Sequence, residues 1–393
     1  MIEARPFAGA RKAQPPVAGW FALLGPAFVV SIGYMDPGNW ATDLGAGAFG
    51  YRLLWVIMAA NVLAIGLQVS VSNLAVGTGS DLATLIAQRW PRARLSFWAV
   101  FQLTAMATDL AEFAGVVLGA QLLFHLSLAV AVLVGITVVT AVFACTDRRS
   151  RLLEYLMMSC VALVALACVY QLPSLHPVWS SVLEGALVPS VPSPEALVLV
   201  AGIIGATVMP HNLFLHSALI VKHTHHSSSN ERVRAGHFFQ KETLIALNVA
   251  AAANALILIV GASVSRAGVS VASVFSALFA IRADSSIVFG AGLLVSGIAA
   301  LISATLAGDY IFAAFSPVQF PAPFRRAVTI LPSAAAIVFG LSIPSLLIWS
   351  QVALAIALPA VLIPLALLLI ARRRAAGGDC RDEGGPRGSS LTV

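Results

Sequence analysis

Long apolar runs recur along the whole sequence. Hydrophobic residues make up 59% of the 393 residues, and charged residues only 10%. In soluble domains about a quarter of the residues are charged, whereas an apolar run of about 18 residues or more can cross a bilayer as a helix. Lipid offers the backbone no hydrogen-bond partners, so such spans must satisfy their own backbone groups. The sequence therefore predicts an all-α membrane protein with several spans.

The hydropathy pattern predicts about ten transmembrane helices. They cover roughly residues 20–48, 53–76, 96–124, 126–145, 152–172, 197–222, 241–264, 286–315, 326–341 and 343–371. These spans form one transporter domain, residues 20–371. Residues 1–19 are predicted to be a cytoplasmic tail, and residues 372–393, which are rich in glycine and charge, a disordered cytoplasmic tail.

Basic residues lie on one side of this predicted topology. With the N-terminus in the cytoplasm, 20 Lys and Arg residues fall on the inner side and only Arg52, Arg266 and Arg282 on the outer side. Cytoplasmic loops of membrane proteins carry such an excess. The pattern predicts an inner-membrane protein with both termini in the cytoplasm. It also accounts for the formal net charge of +6 without a nucleic-acid partner.

The motif Asp36-Pro37-Gly38-Asn39 lies in the middle of the first predicted span. Proline removes a backbone donor and glycine loosens the chain, so the helix should break here. An acid at this depth is costly, and intramembrane acids are functional by default. The motif indicates a cation site on a broken helix. The structural alternative is a kinked helix in which Asp36 only caps the second half.

A related motif, Met209-Pro210-His211-Asn212, lies in the sixth predicted span. Pro210 follows Pro37 by 173 residues, and Asn212 aligns with Asn39. Spans one to five and six to ten then form two halves, residues 20–172 and 197–371, of opposite orientation because five is odd. Paired interrupted helices in inverted repeats mark the central site of a transporter. The pairing therefore favours the functional interpretation of Asp36.

The side chains at the two predicted breaks suit a transition metal. Asp36 offers a carboxylate, Asn39 an amide oxygen and Met209 a thioether, while Gly33 and Ala206 lie about one turn before the breaks, where carbonyls lose their helical partners. Mg²⁺ and Ca²⁺ prefer oxygen alone, so one sulfur favours a first-row divalent ion. The alternative is that Met209 only fills the core.

Three sequence strings carry a resemblance to a known family. They are GPAFVVSIGYMDPGNWATDL, GATVMPHNLFLHSAL and ATDLAEF. With them the chain resembles the Nramp family of proton-coupled divalent metal transporters, whose bacterial members import manganese. The resemblance extends from about Gly25 to Leu365. It implies a LeuT-type fold, a 5+5 inverted repeat in which the first and sixth helices are broken.

The resemblance also implies roles for individual residues. The implied metal ligands are Asp36, Asn39, Met209, the carbonyls of Ala206 and Gly33, and Gln351 of the string WSQVALAIALP. The implied proton pathway comprises Asp109 and Glu112, with Arg326 or Arg325 of the ninth span nearby, and His211 and His216 are candidates to titrate.

The proton pathway has alternatives and departures. Asp109 and Glu112 are three residues apart and share a helix face, but they could instead form a structural ion pair with the ninth span. The two histidines could simply be satisfied by hydrogen bonds. Gln102 stands where family members usually carry Glu, and Asp309 is an unusual acid at the inner end of the eighth span.

These features together predict a secondary active transporter that imports Mn²⁺, and also Fe²⁺, Co²⁺ and Cd²⁺, with protons by alternating access. The alternative is an amino-acid or cation carrier of the same fold without transition-metal selectivity. The sequence has no H-E-x-x-H zinc motif, no P-loop and no paired cysteines. We therefore expect neither an enzyme nor a bound cofactor. The expected partners are the metal ion, protons and lipid, with no obligate protein partner.

Overall fold

The computed structural model describes residues 25–146, 166, 169–170, 176–225, 227–265, 283–318 and 320–382. Within these ranges the regular structure is entirely helical. The helices are α1 (Pro26–Ser31), α2 (Pro37–Ala46), α3 (Leu54–Thr78), α4 (Leu82–Arg89), α5 (Arg94–Phe124), α6 (Leu128–Thr146), α7 (Trp179–Leu187), α8 (Pro194–Thr207), α9 (Pro210–Thr224), α10 (Ser229–Val264), α11 (Ala283–Phe315), α12 (Ala322–Val338), α13 (Ile343–Ala357) and α14 (Pro359–Asp382).

Six helical segments in the described ranges are long and apolar enough to cross a membrane. They are Leu54–Thr78, Pro91–Phe124, Pro194–Thr224, Glu231–Ser263, Phe289–Phe315 and Ile343–Arg374, and two shorter apolar helices are Pro26–Met35 and Leu128–Ala141. The chain is therefore an all-helical, multi-pass membrane protein, as the composition predicts.

Two predicted boundaries are wrong. Helix α10 begins at Ser229, so most of the predicted inner loop 222–240 is helical. It starts early because Ser228 and Glu231 form a capping box, in which each side chain bonds the backbone of the other. Helix α14 extends to Asp382, so residues 372–382 are helical where disorder was predicted.

Other predictions fall outside the described residues. These are the tail of residues 1–19, nearly all of the predicted fifth span and the last residues of the predicted C-terminal tail.

The first predicted span is interrupted at the D-P-G-N motif. Helix α1 passes into a 3-10 turn over Ile32–Met35, and Asp36 is extended, with φ −71° and ψ 168°. Helix α2 then starts at Pro37, which has no backbone N–H to donate to the preceding turn. The Asp36 carboxylate caps α2 by accepting a 2.7 Å bond from the Asn39 backbone N–H. Sequence and local geometry thus agree on where this helix stops and restarts.

A second interruption separates α8 from α9. Helix α8 ends at Thr207, Met209 is extended with φ −71° and ψ 124°, and α9 starts at Pro210. Proline again occupies the first helical position, where its missing N–H costs nothing. Unlike Asp36, Met209 makes no side-chain bond to the backbone of the helix that it caps. The two breaks share their proline but differ in their cap.

Helix α2 lies at the centre of the bundle. Every residue from Pro37 to Ala46 is buried, and α2 packs on α5, α8, α10 and α13. Around it, α11 packs extensively on α5, α10 on α3, and α13 on α8. Because polar groups buried at this depth must find partners within the protein, the contacts of the two breaks define the candidate site.

Candidate metal site

Three oxygens from the predicted ligand set converge on one atom, the amide nitrogen of Asn39. This Nδ2 donates to Asp36 Oδ1 at 2.8 Å, to the Ala206 carbonyl at 3.0 Å and to the Gly33 carbonyl at 3.2 Å. The contacts link the first break to the end of α8. The structure therefore brings Gly33, Asp36, Asn39 and Ala206 together.

The orientation of the Asn39 amide differs from the one that the sequence predicts. Its Oδ1, expected to face the ion, instead accepts a 3.2 Å bond from Asn254 Nδ2 on α10. The same Asn254 nitrogen also donates to the Tyr34 carbonyl at 2.8 Å. To bind a cation through oxygen, the Asn39 side chain must rotate, exchanging its NH₂ and C=O groups. Asn254 was not identified from the sequence, because nothing in its surroundings marks it.

Asp36 retains an acceptor that is not used within the described part of the chain. Its Oδ1 receives two bonds from Asn39, but Oδ2 is buried and has no partner there. A buried oxygen without a donor carries a desolvation cost of roughly 1–3 kcal/mol, more when charged. A cation beside Oδ2 would offset that cost. This unpaired oxygen, on a carboxylate that shares Asn39 Nδ2 with two carbonyls, is the strongest feature of the site.

Gln351 on α13 lies against the start of α2. A side chain on Gly38 would overlap the Gln351 amide, so glycine is required for this approach. The Gln351 Nε2 donates to Ser350 Oγ at 3.3 Å, whereas its buried Oε1 has no partner among the described residues. Its position and its unpaired oxygen agree with the implied role as a ligand.

Met209 is buried, with 1% of its surface exposed. Its sulfur accepts a hydrogen bond from Asn212 Nδ2 at 3.6 Å. Asn212 itself packs against the first break, since a side chain on Gly33 would overlap its amide. Asn212 was not among the predicted site residues, although it aligns with Asn39 in the repeat.

In the described ranges, no three His, Cys, Asp or Glu side chains gather as a metal cluster. The candidate site relies instead on one carboxylate with carbonyl, amide and thioether groups. Such a mixed set differs from structural zinc sites, which use Cys and His.

The acids and histidines of the predicted proton pathway lie on α5 and α9. Asp109 and Glu112 are buried on α5, and Glu112 Oε2 has no partner among the described residues. His211 Nδ1 lies 3.3 Å from Thr108 Oγ1, next to Asp109 along the chain. The structure therefore places His211 against the helix that carries the acidic pair.

His216 faces another helix. Its Nδ1 donates to Gln68 Oε1 at 2.7 Å, and Gln68 Nε2 donates to the Tyr34 hydroxyl at 2.8 Å. This chain of bonds runs from α9 through α3 to the 3-10 turn before Asp36. One ring nitrogen of each histidine is thus bonded, as the alternative interpretation requires, while the Nε2 atoms of both lack a partner among the described residues.

Both arginines of α12 lie within ion-pair distance of Asp309 on α11. Arg325 Nη2 lies 2.7 Å from Asp309 Oδ1, and Arg326 Nη2 lies 4.0 Å from Asp309 Oδ2. Asp309, the acid that the sequence marked as unusual, is therefore the partner that the sequence analysis did not foresee.

The same arginines share a cavity with Asp109. The cavity holds about 50 Å³ and opens between α5, α11 and α12. Its polar lining is Gln102, Asp109, Thr305, Asp309, Arg325, Arg326 and Thr329. Asp109 and the α12 arginines thus line one cavity, together with Asp309, with which both arginines pair.

Fold and site together define a class: a multi-pass helical membrane protein with a polar, oxygen-lined centre between two interrupted helices. The chain belongs to the Nramp family, because the family model described as "Natural resistance-associated macrophage protein-like" matches residues 27–382. The resemblance stated from the motifs is thereby confirmed.

Two similar proteins are both named divalent metal cation transporter MntH. That of Caldanaerobacter subterraneus subsp. tengcongensis is 37% identical over 352 residues, covering 88% of this chain and 84% of that protein. That of Klebsiella pneumoniae subsp. pneumoniae is 37% identical over 354 residues, with the same coverage of 88% and 84%. These relatives are transporters, in agreement with the expectation that the chain is not an enzyme.

Two solved structures of transporters are similar to this chain. A mutant of the manganese transporter of Eremococcus coleocola has a TM-score of 0.77 and 30% identity, and the match covers 91% of this chain and 81% of that one. Mhp1, a nucleobase-cation-symport-1 family transporter, has a TM-score of 0.59 at 16% identity, covering 89% and 79%. At that identity Mhp1 is informative about the fold alone.

Proposed function

We propose that the chain is a secondary active transporter that imports Mn²⁺, and also Fe²⁺, Co²⁺ and Cd²⁺, by alternating access coupled to protons. One observation carries the proposal: the Asp36 carboxylate, whose Oδ2 has no partner among the described residues, meets the Gly33 and Ala206 carbonyls at Asn39 Nδ2 through its Oδ1. Relatives named as divalent metal cation and manganese transporters support the choice of cargo.

The proposed ligand set is Asp36, Asn39, Met209, Gln351 and the carbonyls of Ala206 and Gly33. In this account the ion takes the place that Asn39 Nδ2 now occupies among the three oxygens. The Asn39 amide rotates so that its oxygen faces the ion. Asn254 must then rotate as well, so that its Oδ1, which has no donor among the described residues, accepts a bond from the Asn39 NH₂ in place of the present bond from Asn254 Nδ2. Loss of the hydration shell is offset by these fixed oxygens and by the Met209 sulfur.

The proposed proton pathway is Asp109, Glu112, His211, His216 and Arg326. Its support is the burial of the acidic pair, the contact between His211 and Thr108 and the cavity that Asp109 shares with the α12 arginines. Because intramembrane acids are costly unless they serve a function, a buried acidic pair of which Asp109 lines a polar cavity fits proton transfer.

The proposed architecture is a LeuT-type 5+5 inverted repeat of about ten helices, residues 20–371, flanked by cytoplasmic tails. The two interruptions 173 residues apart and the fold-level likeness to Mhp1 support it. The protein would lie in the inner membrane with both termini cytoplasmic, without an obligate protein partner.

Cysteine labelling tests this topology in a background without the four native cysteines. We expect Ser227→Cys, between α9 and α10, to be protected from impermeant reagents in intact cells, and Pro189→Cys, between α7 and α8, to react. Reaction of Ser227→Cys from outside would contradict the ten-span arrangement.

Metal uptake into proteoliposomes tests the function itself. An acidic exterior should accelerate Mn²⁺ uptake, whereas Asp36→Asn and protein-free liposomes should show background uptake. A wild-type protein that takes up no transition metal would contradict the proposal. Uptake that is indifferent to the pH gradient would contradict only the proton coupling.

A further inference from the structure

Two asparagines occupy equivalent positions in the interrupted helices. Asn39 is the third residue after the cap Asp36, and Asn212 is the third residue after the cap Met209. Asn39 Nδ2 donates to Asp36 Oδ1 at 2.8 Å, and Asn212 Nδ2 donates to Met209 Sδ at 3.6 Å. In each break the asparagine amide therefore binds the side chain of the cap.

Each asparagine also reaches across to the opposite break. Asn39 Nδ2 donates to the Ala206 carbonyl at the end of α8. The Asn212 amide packs against Gly33, where an added Cβ would overlap its nitrogen and lie 3.0 Å from its Oδ1. Gly33 and Ala206 are themselves 173 residues apart, the offset that relates the two asparagines. The two residues thus make corresponding contacts in the two halves.

The two asparagines have different effects in the two halves of the protein, because the capping side chains Asp36 and Met209 differ. The Asp36 carboxylate is fixed by the Asn39 backbone N–H as well as by its amide. Met209 makes no cap bond to its helix, and methionine has three rotatable side-chain bonds. Its hydrogen bond from Asn212 is therefore the contact that can hold the sulfur in one orientation. Asn212 is well placed to do this, because its own side chain is fully buried.

We propose that Asn212 is a positioning residue that determines metal specificity by aiming the Met209 sulfur at the ion. Sulfur has two lone pairs, so a bond from the amide to one of them leaves the other for a metal. Without that bond the thioether would sample several rotamers, and a soft ion would lose more than a hard one. This inference rests on the proposed function, since it presupposes a metal at the two breaks.

A double-mutant cycle on the purified protein tests the inference, with Cd²⁺ and Mn²⁺ binding measured by calorimetry. Asn212→Leu keeps the approximate size of the side chain but removes the donor. We expect Cd²⁺ affinity to fall about tenfold and Mn²⁺ affinity by a smaller factor. The coupling between Asn212 and Met209 would then be of the size found between contacting residues. In the Met209→Ala background, Asn212→Leu should change neither affinity further.

Controls separate positioning from general damage. Asn61→Leu removes another buried asparagine, one that bonds Asn248 away from the breaks, and should leave the Cd²⁺ to Mn²⁺ ratio unchanged. If Asn212→Leu does not fold, Asn212→Ala removes the N–H donor without adding a charge beside the proposed site and replaces it in the cycle.

The outcomes are distinct. Equal loss for both ions, or the same loss with and without Met209, would overturn the role of Asn212 while leaving the proposed function intact. A wild-type protein that binds neither ion would contradict the proposed function, and this inference with it.

Discussion

The two helix breaks share a plan but differ in chemistry. Both place an extended residue before a proline and an asparagine three residues after that residue. At the first break the cap is a carboxylate held by two bonds from Asn39; at the second it is a thioether held by one longer bond from Asn212. The first break therefore presents a charged, rigid ligand, and the second a neutral, polarisable one.

Because of this difference, we expect the two halves of the site to have separate roles. The Asp36 side supplies charge and oxygen, which any divalent cation prefers to an uncharged pocket. The Met209 side supplies sulfur, which adds little for Mg²⁺ or Ca²⁺ and more for softer ions. Affinity should depend mainly on the first break and selectivity mainly on the second. Three substitutions test that division, and two more test the coupling to protons.

Asp36→Asn should have the largest effect, because it removes the one formal charge between the breaks. Leaving a buried cation without its anion costs about 3 kcal/mol or more, roughly a hundredfold in affinity. Mn²⁺ uptake should therefore be nearly abolished while the protein still folds. Asp43→Asn is the matched control, since Asp43 is equally buried on α2 but is not a proposed ligand. Equal losses of Mn²⁺ uptake in both variants would mean that Asp36 contributes no more than any other buried acid on α2.

Gly38→Ala should reduce metal affinity by displacing Gln351. The new methyl group would overlap the Gln351 amide and force it to move. Such overpacking typically costs about 1–3 kcal/mol. Gly66→Ala is the control, because an added Cβ there meets no atom within 4 Å. Calorimetric titration with Mn²⁺ should show weaker binding in the first variant alone. Unchanged binding in Gly38→Ala would show that Gln351 does not contribute.

Met209→Ala should change selectivity more than activity. We expect Mn²⁺ transport to persist, Cd²⁺ binding to weaken and Ca²⁺ or Mg²⁺ to compete better, by about 1 kcal/mol or roughly tenfold in relative affinity. Competition uptake in proteoliposomes measures the effect. If Ca²⁺ and Mg²⁺ compete no better than in the wild type and Cd²⁺ affinity does not move, Met209 is a core residue.

Asp109→Asn should have the smallest effect on metal binding, because Asp109 lies on α5 outside both breaks. It should instead alter the pH profile of uptake, and Gln102→Glu, which adds an acid to the cavity that Asp109 lines, should alter proton flux. Uptake measured across a range of external pH tests both variants. An unchanged profile in Asp109→Asn would indicate that the acidic pair is structural.

Local sequence rules predicted the two helix interruptions well, because a proline next to a buried capping residue leaves the backbone few conformations. They predicted less about partners supplied by other helices. The bond from Asn254 to Asn39 and the ion pair between Arg325 and Asp309 depend on how α10, α11 and α12 pack, which no short motif records. The early start of α10 could have been anticipated from Ser228 and Glu231, whose spacing is that of a capping box.

The central claim, that both breaks bind one ion, is tested most directly by X-ray absorption of the purified protein with bound Cd²⁺. The account predicts oxygen ligands together with one sulfur ligand in the wild type, and oxygen ligands alone in Met209→Ala. A sulfur signal that persists in the variant would point to a cysteine instead. A wild-type spectrum with only oxygen ligands would contradict the claim.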